Sequence, residues 1–230
     1  MISTLKGLLN ETVNIEVTGK MHLQGTIIDT GSDTLVIFDG NDYKYIPVLH
    51  IQNLTFNTDS ECEIEDPSES PCIDSESIDG EFSLRRILMQ AVNMFTEISV
   101  IGEQSLYGYI SSVKDNYIVF HSPIYKTLYI MIDHLKWLIP HPDNAWVNGF
   151  NHKNFLDNPA DTKLASSFEK LITDAKGKFV VVNMGESMNC IGEIQSSKEG
   201  FIEIQPARAR SLYVNMHHIK TLQIDNNVSH

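Results

Sequence analysis

A mainly β fold is predicted, built as three tandem five-stranded small barrels, each entered through a short N-terminal helix. Three observations predict it. Tyr45, Tyr129 and Tyr213 recur at a constant interval of 84 residues, and each is followed five residues later by a histidine, His50, His134 or His218. Leu54, Leu138 and Leu222 stand four residues beyond those histidines. A pair of glycines precedes each tyrosine: Gly19 and Gly25, Gly102 and Gly108, Gly185 and Gly192. Self-similarity at a fixed period identifies one structural unit present in several copies.

Each copy opens with apolar residues at helical spacing, as in Leu5, Leu8 and Leu9, then Leu84, Ile87 and Leu88, then Phe168, Leu171 and Ile172. Ser3, Ser83 and Ser167 stand where N-caps belong. The period then changes to that of a strand: Val13, Ile15 and Val17 alternate with polar residues, Ile98 and Val100 do likewise, and Phe179 to Val182 is a solid apolar run. The first glycine of each pair lies in a polar turn, where positive φ is needed. The second, Gly25, Gly108 or Gly192, falls in the next strand, where glycine marks a bulge or a sharp bend.

A third strand is predicted over Thr34 to Phe38, Tyr117 to Phe120 and Phe201 to Ile204, after turn signals such as Gly31-Ser32-Asp33. The fourth carries the repeated tyrosine, with Ile46 and Val48, Ile130 and Ile132, or Val214 and Met216 on the opposite, inward face. The histidine and the apolar residue after it fit one tight turn into a short fifth strand. A segment of about fifty residues is too small for an open sandwich, so its sheet is expected to curl into a small barrel that hides its edges. Each copy reads as an Sm-like barrel. The period places modules at 1–56, 82–140 and 164–226, with spacers at 57–81 and 141–163.

The formal charge of −13 is concentrated in the first spacer, which carries ten acidic residues between Asn57 and Glu81, while no Lys or Arg occurs from Tyr45 through Leu84. That segment reads as a solvated tether, with an acidic docking strip for a basic partner as the alternative. The second spacer is different, because Trp146, Val147, Phe150 and Phe155 suit packing against another surface. Without a charged-then-apolar leader or a continuous apolar run of about 18 residues, neither signal-peptide export nor membrane spanning is expected.

Three cysteines give no zinc pattern, since no C-x-x-C pair is present. Cys62, Cys72 and Cys190 are instead candidates for crosslinking, with Cys62 and Cys72 flanking an acidic loop. The repeated histidines tempt a catalytic or metal reading. However, the residue before each is Leu49, Asp133 or His217, so no acidic or nucleophilic partner repeats beside them, and a triad needs base and orienter within hydrogen-bond reach. Tyr45, His50, Tyr129, His134, Tyr213, His218, Gly25, Gly108 and Gly192 are therefore taken as a structural signature. No catalytic residue, metal or cofactor is expected. The acidic balance opposes a polyanion, because phosphate contacts need Lys and Arg on one face. RNA or small-ligand binding on an Sm-like barrel stays as the alternative function.

On the segments His50-Ile51-Gln52-Asn53-Leu54, His134-Leu135-Lys136-Trp137-Leu138 and His218-Ile219-Lys220-Thr221-Leu222, with the glycine pairs before them, the chain resembles the spore coat protein B family of endospore-forming bacilli. It departs from that family in its first turns, such as Gly102-Glu103-Gln104-Ser105, and in having no Ser/Lys/Arg-rich tail. The resemblance implies a non-catalytic structural protein of the spore coat or outer spore layers, made in the mother-cell cytoplasm. Its partners would be other coat proteins and further copies of itself, held through several weak contacts.

Overall fold

The computed structural model describes residues 5–56, 64–65, 67–76, 81–102, 104–141, 164–185 and 190–225. The first repeat supplies β1 (Thr12–Val17), β2 (Met21–Thr30), β3 (Thr34–Phe38), β4 (Tyr43–Pro47) and β5 (Ile51–Phe56). The second supplies α1 (Leu84–Gln90), β6 (Phe95–Ser99), β7 (Ser105–Val113), β8 (Tyr117–Ser122), β9 (Lys126–Met131) and β10 (Trp137–His141). The third supplies α2 (Phe168–Asp174), β11 (Phe179–Val182), β12 (Ile191–Lys198), β13 (Phe201–Gln205), β14 (Leu212–Asn215) and β15 (Thr221–Ile224). Among the described residues the fifteen strands pair antiparallel throughout. No helix among the described residues is long and apolar enough to cross a membrane.

The chain divides into two compact units, Met1–Tyr107 with Leu135–Asn148 and Gly108–His134 with Gly149–His230. The first contains the strand order β6-β10-β4-β3-β2-β1-β5, and the second β14-β13-β12-β11-β15-β9-β8-β7. The second repeat is thus shared, with β6 and β10 in one unit and β8 and β9 in the other.

The ladder is open, which corrects the expectation of three separate five-stranded small barrels, each curled so as to hide its edges. In the first and third repeats the order is fourth, third, second, first, fifth strand, and the outer two do not pair with each other. One outer strand of each pairs with the second repeat instead: β4 with β10, and β15 with β9. An exposed edge needs a partner, and the adjoining copy supplies it.

In the first unit, the inward side chains Val13, Ile15, Ile27, Ile37 and Ile46 form the core, and Trp137 and Ile139 of β10 close it. In the second unit, Val180, Val182, Ile194, Ile202, Ile204 and Leu222 join Phe168, Leu171 and Ile172 of α2 and Tyr117, Val119, Tyr129 and Met131 of β8 and β9. β3 and β8 are buried along their whole length, whereas β13 alternates between buried and more exposed positions.

The helices differ from the sequence reading in two respects. The first repeat has only a 3-10 turn, Lys6–Leu8. Gly7 interrupts it and Asn10 follows at φ 67°, so the segment stops before an α-helix can propagate. Ser3 lies outside the described residues. At α1, Ser83 occupies the N-cap position without a side-chain cap bond. The Leu84 N–H donates instead to Asp33 Oδ1 at 2.7 Å, from the β2–β3 turn of the preceding repeat. At α2, Ser167 does accept from the Lys170 N–H, and Phe168 N–H donates to Asn116 Oδ1 at 2.9 Å. The same turn therefore caps the next repeat's helix twice, at α1 with the Asp33 carboxylate, which suits the positive helix end, and at α2 with the Asn116 amide oxygen. Asp33→Ala is expected to cost about 1–2 kcal/mol and Asn116→Ala about 1 kcal/mol, read as lowered denaturation midpoints at unchanged slope. A loss below about 0.3 kcal/mol in both would refute the cap.

Candidate functional site

The candidate site is the repeat signature, the tyrosine, histidine and glycine positions that recur in each copy, together with the strand edges they occupy. The glycines explain how the sheet bends. Gly19, Gly102 and Gly185 have φ of 89°, 60° and 76° in the turns after β1, after β6 and after β11, conformations that favour glycine. The second glycines have a different task. A Cβ at Gly25 would lie 2.8 Å from the Phe38 carbonyl oxygen, one at Gly108 2.1 Å from that of His121, and one at Gly192 2.4 Å from that of Gln205. Each lets the third strand press onto the second. The ladder shifts register just beyond them, between Ile27 and Asp29, Ile110 and Ser112, and Ile194 and Ser196. The bulge thus falls after the glycine, and it adds local twist.

Two of the three tyrosines lie where repeat meets repeat. Tyr45 is fully buried, its hydroxyl donating to the Ile73 carbonyl at 2.5 Å and accepting from the Ile73 N–H at 3.2 Å. Burial raises its phenol above the ordinary range, and the adjacent Cys72 adds to the effect. Tyr129 is buried in the core of the second unit, edge-on to Tyr117, which itself packs edge-on to Phe168 of α2. Tyr213 is exposed. On the backbone, Tyr45 faces Leu138 and Tyr129 faces Leu222. The tyrosine and leucine that define the repeat in sequence are thus the facing residues of the joints. The sequence pattern predicts the tyrosines on the face opposite the inward residues; Tyr129 instead joins the core of the second unit, only Tyr213 is exposed, and the pattern does not pair the tyrosines with the leucines. Their identical spacing was the available signal.

The histidines end one-turn 3-10 segments, Val48–His50, Ile132–His134 and Met216–His218. A backbone bond clamps each turn to the loop before the third strand: Val48 N–H to Asp33 O, Ile132 N–H to Asn116 O, and Met216 N–H to Gly200 O. The three rings have different surroundings. His50 Nδ1 is 2.9 Å from Thr18 Oγ1, and its carbonyl accepts the Thr18 N–H. His134 donates from Nε2 to the His217 carbonyl at 2.8 Å. His218 is exposed, and its carbonyl accepts from Asn183 Nδ2 at 3.1 Å.

Burial lowers the His134 pKa, the charges of Lys220 and His218 lower it further, and the bond to His217 and the Asp133 carboxylate only partly offset them. The folded state therefore holds this ring neutral while the unfolded chain takes up a proton below its ordinary value of 6.5. The contribution to stability is complete above that value and is lost as pH falls through it towards the lower folded value. Acidification from pH 7 to about 5 should lower the melting temperature of the second unit, and His134→Gln should flatten that slope. An unchanged slope in the variant would count against the assignment.

Cys72 donates its thiol to the Pro140 carbonyl at 3.4 Å, and burial raises its pKa. Both features slow thiolate chemistry. Cys190 is half-buried beside the core of the second unit. Cys62 lies outside the described residues. Among the described residues, no group of three or more His, Cys, Asp or Glu is placed to hold a metal ion.

The third repeat, over residues 167–222, matches the family model described as "YwrJ third domain". Along nearly the whole chain, the sequence is also 32% identical over 226 residues to the uncharacterized protein YwrJ of Bacillus subtilis (strain 168), covering 96% of this chain and all of that one. The chain belongs to the YwrJ family. A YwrJ third domain, delimited in this way, begins at the N-cap of α2 and ends in β15, and so spans one complete structural repeat.

Proposed function

We propose that this chain is a non-catalytic structural protein of the bacterial spore coat, a scaffold whose three Sm-like repeats present related surfaces to other coat proteins. The observation that carries the reading is the fate of the signature. Two of its tyrosines and two of its leucines are consumed in joints between strands, and its glycines in bending the sheet. Its histidines take three different local roles. These residues build and connect repeats. The strand order shared by the first and third repeats supports the Sm-like description, and the resemblance to spore coat protein B supports the location. Several weak contacts borne on one chain give avidity without a strong single interface.

The test follows a tagged chain through sporulation and extracts mature spores with and without reductant. The expected result is accumulation around the forespore and release only with coat proteins. A protein that stays diffuse in vegetative cells and is absent from spores would sink the proposal. Salt-sensitive binding of the purified chain to RNA would favour the nucleic-acid alternative.

A further inference from the structure

Two strand joints in this chain are built alike, and one further set of the same groups remains. At each joint the fourth strand of one repeat receives the fifth strand of the next. Tyr45 of β4 faces Leu138 of β10. Tyr129 of β9 faces Leu222 of β15, and Ile130 faces Thr221 beside them. Among the described residues, β14 pairs only with β13 and β5 only with β1. Those two edges carry Tyr213 and Leu54, the third members of the signature.

Exposure follows the same division. Tyr45 is 0% and Tyr129 4% exposed under the strands that face them, whereas Tyr213 is 64% exposed. Phe201, which faces Asn215 as Tyr117 faces Met131, is 44% exposed where Tyr117 is 0%. An unpaired edge flanked by aromatic residues is a template for another strand.

We infer that β14 of one copy pairs antiparallel with β5 of a second copy in the register of the internal joints. Tyr213 then faces Leu54 and Val214 faces Asn53. The Asn215 N–H donates to the Gln52 carbonyl, as the Met131 N–H donates to that of Lys220 at 3.1 Å. The partner is another copy because β5 carries the signature leucine at the position the two internal joints use. This joint is weaker than the internal ones. Gly200 stands where Asp33 and Asn116 cap the next helix, and Glu203 faces Tyr213 where Val36 and Val119 face the buried tyrosines. Association is therefore reversible and concentration-dependent. The contact is head-to-tail, so each added copy leaves one edge of each kind, and the product is a ring or an open chain.

The inference deepens the scaffold reading by naming one surface and one partner. Its test measures the mass of the full chain by sedimentation over a range of concentrations, for the wild type, Tyr213→Lys, Leu54→Lys and an equimolar mixture of the two variants. The wild type should rise above one chain with concentration, and each variant alone should stay monomeric. The mixture should form a dimer and nothing larger, because one intact edge remains on each chain. Leu54 packs against the core of the first unit, so its variant is checked for folding by melting; if it fails to fold, exposed Tyr213→Lys decides alone. A wild type that is monomeric throughout, a Tyr213→Lys chain with wild-type mass, or two folded variants that do not pair would each overturn the inference. The two readings fail separately: a monomer found in spores removes the joint and leaves the scaffold, and an oligomer absent from spores does the reverse.

Discussion

Gly108→Ala is expected to be among the most damaging single substitutions in this chain, lowering the stability of the second unit by about 3 kcal/mol and its melting temperature by roughly 10 °C. The added methyl would lie 2.1 Å from the His121 carbonyl oxygen and 2.9 Å from Cε1 of Phe120. Neither neighbour can yield cheaply. The oxygen belongs to the backbone of β8, and Phe120 is fully buried. Relief requires β7 and β8 to separate, which disturbs the ladder and the bulge between Ile110 and Ser112 together. Gly192→Ala should act in the same direction, with the Gln205 carbonyl oxygen at 2.4 Å. The checks are thermal unfolding and amide exchange in β7 and β8. A Gly108→Ala chain that melts within about 2 °C of wild type would show that the sheet accommodates a side chain there.

The second large effect is a contrast between equivalent residues. Tyr129→Ala should cost about 4 kcal/mol, the range for emptying a large buried aromatic site, because Tyr129 fills the core among Tyr117, Val180 and Leu222. Tyr213→Ala should stay within about 0.5 kcal/mol when measured at a concentration where the chain is monomeric, since that ring is exposed. The leucines should follow suit. Leu222→Ala, at a fully buried site, should cost about 3 kcal/mol, and Leu54→Ala less, because Leu54 is only partly buried against the core of the first unit. Equal losses at Tyr129 and Tyr213 would mean that burial in the joint is not what these tyrosines provide. Chemical denaturation of the four variants separates the outcomes.

Much of this was legible in particular residues. The 84-residue interval announced three copies, and the alternation in Val13-Ile15-Val17 marked an inward face that the core of the first unit contains, whereas in β9 it is Tyr129 and Met131, not Ile130 and Ile132, that belong to the core of the second unit. The glycine pairs announced curvature, although the second glycine proved to be a point of close approach with the bulge just beyond it. Even the difference of the third repeat can be read from its third strand. Phe201-Ile202-Glu203-Ile204-Gln205 alternates as a one-sided strand does, whereas Thr34-Leu35-Val36-Ile37-Phe38 is apolar on both faces. In the first repeat apolar spacing predicts a helix where only a 3-10 turn forms, because spacing alone does not register how Gly7 weakens so short a segment. Ser83 stands at the cap position, but the Leu84 N–H goes to Asp33, a competitor distant in sequence.

By itself the sequence determined the unit: where its strands run, which face of the first strand points inward, where glycine is required, and that the pattern occurs three times. These are local properties, set by side-chain period and backbone freedom within a few residues. Tertiary structure alone decided which edge meets which, so that β4 takes β10 and β9 takes β15 rather than each repeat closing on itself. Strand partners are chosen by hydrogen bonds and packing between segments about ninety residues apart, and no local pattern records that choice.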